Sequence, residues 1–218
     1  MSTEKEREPL FSAKNLKLLR EPLGENNPIT VQVLGICSAL AVTAKLKPSV
    51  VMAISVVVVL SVSNVIVSLF RKSVPPRIRI IFQLVVIAMM VILVDQVLKA
   101  FAFEVSKQLS VFVGLIITNC IIMGRLEGFA MANKPWESFL DGVGNAAGYG
   151  LILIIVGFFR EFLGSGTVFG YPVIDKIGLY NIGYENNGFM ILPPMALVTV
   201  GIIIWIQRSR NRNLVDKS

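Results

Sequence analysis

The 218-residue chain has no histidine. That removes the usual general base, proton relay and metal ligand of proteins near neutral pH. Charge is scarce as well: Asp, Glu, Lys and Arg make up 16% of residues, against about 25% in soluble domains. Cysteine occurs twice, at Cys37 and Cys120, each inside an apolar run. Neither position suits an extracellular disulfide framework. Two thiolates alone also do not complete a four-ligand zinc or iron–sulfur site. Residues 1–25 lack an apolar h-region, so a polar tail is expected there and not a signal peptide. No Gly-x-Gly-x-x-Gly stands at a strand-to-helix turn, so no dinucleotide site is expected on this chain.

What is present is hydrophobicity. Apolar residues make up 54% of the chain and the mean hydropathy is +0.71. Such a chain belongs in a lipid bilayer. The net charge of +7 would point to nucleic acid in a soluble protein. Here the basic residues cluster between apolar runs and read as topology signals, so no nucleic-acid partner is expected. Six apolar spans run roughly over 28–44, 49–70, 78–98, 109–124, 143–163 and 188–207, which predicts an all-α membrane fold. Fifteen Lys and Arg fall on the side that holds both ends of the chain and six on the other. Both termini are therefore expected in the cytoplasm, with the 164–187 loop outside. The expected organisation is a tail over 1–25, a membrane domain over 26–208 and a second tail over 209–218. Leu16, Leu18 and Leu19 with Lys14, Lys17 and Arg20 allow either a short interfacial helix or a mobile tail.

Spans one and four are short. From Ser110 to Gly124 no charge interrupts the sequence, which is 15 residues, or about 22 Å of helix against a hydrocarbon core of about 30 Å. Thr118, Asn119 and Cys120 lie near its middle. A short apolar span with polar groups at mid-depth predicts a broken element that lines a site. Span five is dense in glycine, and its Gly144-x-x-x-Gly148 pair predicts a close approach of two helix backbones. Span six opens with Pro193-Pro194, where a helix tolerates proline best.

The spans also repeat. Val31–Cys37 aligns with Val111–Ile117 at an offset of 80, and Ile66–Arg71 resembles Ile155–Arg160. Pro75-Pro76 precedes span three as Pro193-Pro194 opens span six. Two units of three spans, about 26–100 and 106–208, must insert with opposite orientations because three is odd. An inverted repeat with its axis in the membrane plane is expected. It places Cys37 and Cys120 in corresponding broken spans. The ordinary alternative is a pair of inert buried thiols.

Four acids lie in or near the spans. Asp95 closes span three with no adjacent basic residue, which makes it the first candidate for an ion path, with Asp141 second. Asp141 precedes span five and reads equally as its N-cap. Glu127, near Arg125, and Glu161, next to Arg160, read as interfacial charges as readily as functional ones.

The motifs Leu34–Thr43, Ser110–Arg125 and Gly157–Glu161 resemble a known family over about residues 25–208. It is the family of membrane subunits shared by the sodium-translocating NADH:quinone reductase (Nqr) and Rnf complexes. Within it the chain is more similar to the D-type subunits of Nqr, because Ser38-Ala39-Leu40 stands where the E-type subunits of Rnf tend to read Pro-Leu-Leu. The resemblance implies a bacterial inner-membrane complex of six subunits that oxidises NADH, reduces ubiquinone and exports sodium. It further implies that Cys37 and Cys120 are two of four ligands of an intramembrane [2Fe–2S] cluster shared with a homologous E-type subunit. NADH, flavins and quinone would bind to other subunits. Ser38, Thr118 and Asn119 would then be candidate hydrogen-bond donors beside the cysteines; for Ser38 and Thr118 a bond to their own helix backbone is the alternative. An Rnf-type ferredoxin:NAD oxidoreductase subunit, an inverted-repeat secondary transporter and a purely structural anchor remain open alternatives.

Overall fold

The computed structural model describes residues 13–24, 26–101, 114–172 and 188–210. Helix α1 (Ala13–Arg20) runs into a 3-10 turn at Glu21–Leu23. Helices α2 (Ile36–Val42), α3 (Leu46–Phe70), α4 (Arg79–Phe101) and α5 (Cys120–Arg125) follow, and a π-helical turn at Leu126–Ala130 extends α5. Then comes the longest helix, α6 (Pro135–Ser165). A two-residue ribbon pairs β1 (Thr167–Val168) with β2 (Tyr171–Pro172) in antiparallel fashion, Thr167 opposite Pro172. A 3-10 turn at Gly188–Ile191 leads into α7 (Pro193–Arg210), which starts on its two prolines.

Among the described residues three helices are long and apolar enough to cross a membrane: α3, α4 and α6. The 25 residues of α3 span about 37 Å at 1.5 Å per residue, more than a hydrocarbon core needs. Helices α3 and α6 pack along their length. Val56, Val59, Leu60 and Val67 of α3 are fully buried, as are Ala146, Tyr149, Leu153 and Val156 of α6. Glycine permits this approach. A Cβ on Gly150 would lie 2.9 Å from the Ala53 Cβ, and one on Gly142 would lie 3.0 Å from the Ser61 Cα. Helix α4 rests on α3 through Val86, Ile87 and Val91 and leaves Ile81, Val85 and Ile92 exposed. Only 22% of its apolar window is buried, against 61% for α6, so α4 presents its face to lipid or to a partner.

Helix α6 starts at Pro135 and not near residue 143. Proline suits the first turn of a helix, where its missing N–H costs nothing. The reading of Asp141 as an N-cap is therefore corrected: Lys134 occupies that position and Asp141 lies in the second turn. An acid is tolerated there because it is paired, as described below.

The segment 13–24 is docked across α6. A Cβ on Gly144 would lie 2.7 Å from the Leu18 carbonyl oxygen, and one on Gly148 would collide with the Pro22 carbonyl. The Asn27 amide then donates to the Gly148 carbonyl at 3.0 Å. The Gly144-x-x-x-Gly148 notch thus receives the N-terminal backbone.

The short spans contain short helices. Helix α2 has seven residues and α5 has six. Residues 27–35 before α2 are turns and coil, and a break at Thr118–Asn119 separates a helical turn at 114–117 from α5. The start of span four and the expected beginning of the second repeat lie outside the described residues.

Candidate functional site

Each cysteine stands at the beginning of a short helix that the local sequence starts in its own way. Before α2, the Asn27 side-chain oxygen accepts from the Ile29 and Thr30 N–H groups at 3.0 and 3.4 Å, and Leu34 N–H reaches the Pro28 carbonyl at 2.8 Å. Val33 has φ +60° and Gly35 has φ +79°. The left-handed region is unfavourable for a β-branched residue. At Gly35 glycine is required twice, by its φ and by space, because a Cβ there would lie 2.8 Å from the Tyr149 ring and 3.4 Å from the Asn119 side-chain oxygen. Cys37 follows as the second residue of α2. Before α5, Asn119 is the N-cap, and its Oδ1 accepts from Ile121 N–H at 3.3 Å. Cys120 is the first residue of α5. Both thiols are free and exposed on the chain.

Tyr149 of α6 joins the two helix starts. Its hydroxyl lies 2.6 Å from Ser38 Oγ and accepts from Asn119 Nδ2 at 3.3 Å. Ser38 Oγ also donates to the Gly35 carbonyl at 2.9 Å. Tyr149, Ser38 and Asn119 are all buried. Ser38 and Asn119 thus come together, on the inner side of the two cysteine-bearing segments. Thr118 is exposed, and its hydroxyl bonds the Gly114 carbonyl at 3.4 Å. The hydroxyls of Ser38 and Thr118 both bond local backbone carbonyls.

The far ends of the short helices are also held by α6. At α5, Arg125 forms a two-point ion pair with the buried carboxylate of Asp141, and Asn145 Nδ2 donates to the same carboxylate at 3.0 Å. At α2, Arg160 donates to Thr43 Oγ1 at 2.6 Å and the Leu40 carbonyl at 3.4 Å. The same guanidinium reaches the Met190, Ile191 and Leu192 carbonyls, the Ile191 bond being 2.5 Å. Glu161 is buried, and it accepts from Leu46 N–H at 2.5 Å and Gly170 N–H at 3.2 Å. It therefore caps the N-terminus of α3 across space. Glu161 is thus paired with backbone donors at the start of α3 and in the β1–β2 turn.

The other acids lie elsewhere. Asp95 has no adjacent basic residue but pairs with Lys99 one turn further along α4, at 2.6 Å. Glu127 pairs with Arg79 and accepts from Gln83 Nε2 at 2.8 Å. Asp95, Asp141 and Glu127 thus each have a cationic partner. Among the described residues no group of three or more Cys, Asp or Glu comes together to hold a metal ion. The chain presents two thiols, at Cys37 and Cys120.

Sequence reading missed Tyr149 and the buried role of Arg160. The one local signal for Tyr149 was its place between Gly148 and Gly150, where both flanking positions lack a side chain.

Fold and site together define a helical membrane protein built around two discontinuous, cysteine-bearing segments. The family model described as "Rnf-Nqr subunit, membrane protein" matches residues 15–204, and the chain belongs to that family. It is similar to a protein of Serratia proteamaculans named as the D subunit of Na(+)-translocating NADH-quinone reductase, 54% identical over 210 residues, which are 95% of this chain and 100% of that relative. Proteins of the same name resemble it in Haemophilus influenzae, at 58% identity over 86% of this chain and 90% of the relative, and in Shewanella, at 52% identity over 95% and 99%.

Proposed function

We propose that this chain is the D-type membrane subunit of a bacterial sodium-translocating NADH:quinone reductase. In this reading it sits in the inner membrane with both termini cytoplasmic, and Cys37 and Cys120 are two of four ligands of a [2Fe–2S] cluster shared with a homologous E-type subunit. The observation that carries the reading is the placement of the thiols. They lie 83 positions apart in sequence, yet they stand on the first turns of two short helices tied to one tyrosine, and both are exposed for a partner to complete the shell. When bound, such a cluster supplies one-electron transfer partway across the bilayer. NADH, flavins and quinone are assigned to other subunits of the six-subunit complex.

The chain's own residues bind and orient. Asn119 and Ser38 hold the helix starts from inside, while Arg125 and Arg160 hold the helix ends. The apolar faces of α3 and α6 keep water from this core. A thiolate at mid-depth in a bilayer is costly unless a metal neutralises it. Sodium prefers oxygen ligands, and Asp95 and Asp141 remain the acids assigned to an ion path; either would first have to part from its cation.

An inverted repeat is part of the proposal, and two reciprocal contacts support it. Arg71 donates to the Ala132 and Asn133 carbonyls just beyond α5, at 3.0 and 2.5 Å, as Arg160 does at the end of α2. The same offset of 89 positions relates Arg71 to Arg160, Lys45 to Lys134 and Ser49 to Ser138. Each of these lysines is an N-cap, and each serine hydroxyl bonds back to its lysine carbonyl, at 2.8 and 2.9 Å.

The test is an iron assay with EPR on the reduced, assembled complex. Cys37→Ser and Cys120→Ser are each expected to remove the two irons of the intramembrane cluster and to lower quinone reduction with them. Iron, spectrum and turnover that persist in both variants would reassign the cysteines to packing.

A further inference from the structure

The hydrogen bonds around Tyr149 run in one direction. Asn119 Oδ1 is occupied by Ile121 N–H, which fixes the amide so that Nδ2 faces the tyrosine hydroxyl. Ser38 gives its only hydroxyl proton to the Gly35 carbonyl. With the Ser38 proton on the Gly35 carbonyl, Tyr149 is the donor of the short 2.6 Å contact to Ser38 Oγ. The sense is Asn119 to Tyr149 to Ser38 to Gly35, with no group used twice as donor of one proton. One end stands beside Cys120 and the other beside Cys37. The tyrosine ring also fills the space that a side chain at position 35 would need. Bonds aligned head to tail polarise one another, and a low dielectric strengthens them.

We propose that Tyr149 is the positioning residue of the cysteine pair: its hydroxyl carries a single hydrogen-bond chain that fixes the start of α2 against the start of α5 and so sets how the two thiols are presented to the shared centre. This rests on the cluster reading above. Tyr149 touches neither sulfur in this role. It acts through Ser38 and Asn119, as outer partners orient ligands in metal sites. The neighbouring strain fits the assignment. Val33, a β-branched residue at φ +60°, persists only where surrounding contacts over-determine the backbone, and the hydroxyl chain anchors that backbone two residues on, at the Gly35 carbonyl.

The experiment compares wild type with Tyr149→Phe, Ser38→Ala and Ser38→Thr, all in the assembled membrane complex. Tyr149→Phe keeps the ring and its packing and removes only the hydroxyl. Two quantities are read: the EPR line positions of the reduced cluster, and the rate at which a ferrous chelator strips its iron. Outer-partner loss typically weakens metal binding about 10–100-fold, so Tyr149→Phe and Ser38→Ala are expected to release iron about tenfold faster or more, with displaced EPR lines. Ser38→Thr, which retains the hydroxyl, is expected to restore both readouts. Unchanged lines and iron release in Tyr149→Phe and Ser38→Ala would overturn the inference. So would loss of the subunit from the complex in both variants, which would assign the hydroxyl chain to folding alone. Cys37→Ser and Cys120→Ser run alongside: if they lose iron while Tyr149→Phe is normal, only this inference fails, and if they retain it the cluster reading fails first.

Discussion

Arg160 shows how far one residue's role can lie from its sequence neighbourhood. It stands next to Glu161, and adjacency reads as an interfacial pair. Instead the guanidinium serves Leu40 and Thr43 at the end of α2 and the carbonyls of Met190, Ile191 and Leu192. Helix C-termini carry partial negative charge and unpaired carbonyls, and a planar fork of donors spans two such ends where an ammonium does not. Arg160→Leu leaves several buried acceptors unpaired and is expected to cost about 2–4 kcal/mol; Arg160→Lys should lose less and still fall below wild type. Thermal unfolding of the purified complex checks this, and an unchanged midpoint for Arg160→Leu would remove the residue from the framework. Glu161 could not be assigned from sequence for the same reason. The donor it caps, Leu46 N–H, lies 115 positions away.

At the scale of elements, α6 organises the chain through the sides on which it has no side chains. Gly142 and Gly150 admit α3, and Gly144 and Gly148 admit the N-terminal segment. Glycine density in span five was legible, and so was the close approach. Which backbone approaches was not, because a small-residue notch accepts any backbone of the right curvature. Gly148→Ala places a methyl against the Pro22 carbonyl. The expected cost is about 1–3 kcal/mol of overpacking, with residues 13–24 released from α6. Trypsin should then cut at Lys17 and Arg20 faster than in wild type. Phe158→Ala, on an exposed part further along the same helix, should leave the cleavage rate alone, and equal rates in all three proteins would refute the docking role.

For the whole molecule, the bilayer decides what counts as a core. Leu60 of α3 is fully buried, whereas Leu93 of α4 is 51% exposed. Leucine facing lipid gains little over alanine, because lipid tails are as apolar as the side chain. Leu60→Ala is expected to cost about 2–5 kcal/mol through lost contacts and a cavity. Leu93→Ala should stay within about 0.5 kcal/mol if its face meets lipid. Unfolding of the two variants in lipid nanodiscs measures both. A cost at Leu93 as large as at Leu60 would mean that this face of α4 is covered by a partner protein of the complex.

Composition and local pattern sufficed for the membrane class, the three long apolar helices and the breaks before the short ones. These follow from sums over neighbouring residues: apolar transfer adds up along a run, and a polar group or a glycine interrupts it locally. Which polar groups meet was settled only by the packed helices. Ser38 finds Tyr149 across 111 positions and Arg160 finds Thr43 across 117. A hydrogen bond is directional and short, so its partner is chosen by how α2 meets α6 and by Gly35, where a Cβ would lie 2.8 Å from the Tyr149 ring.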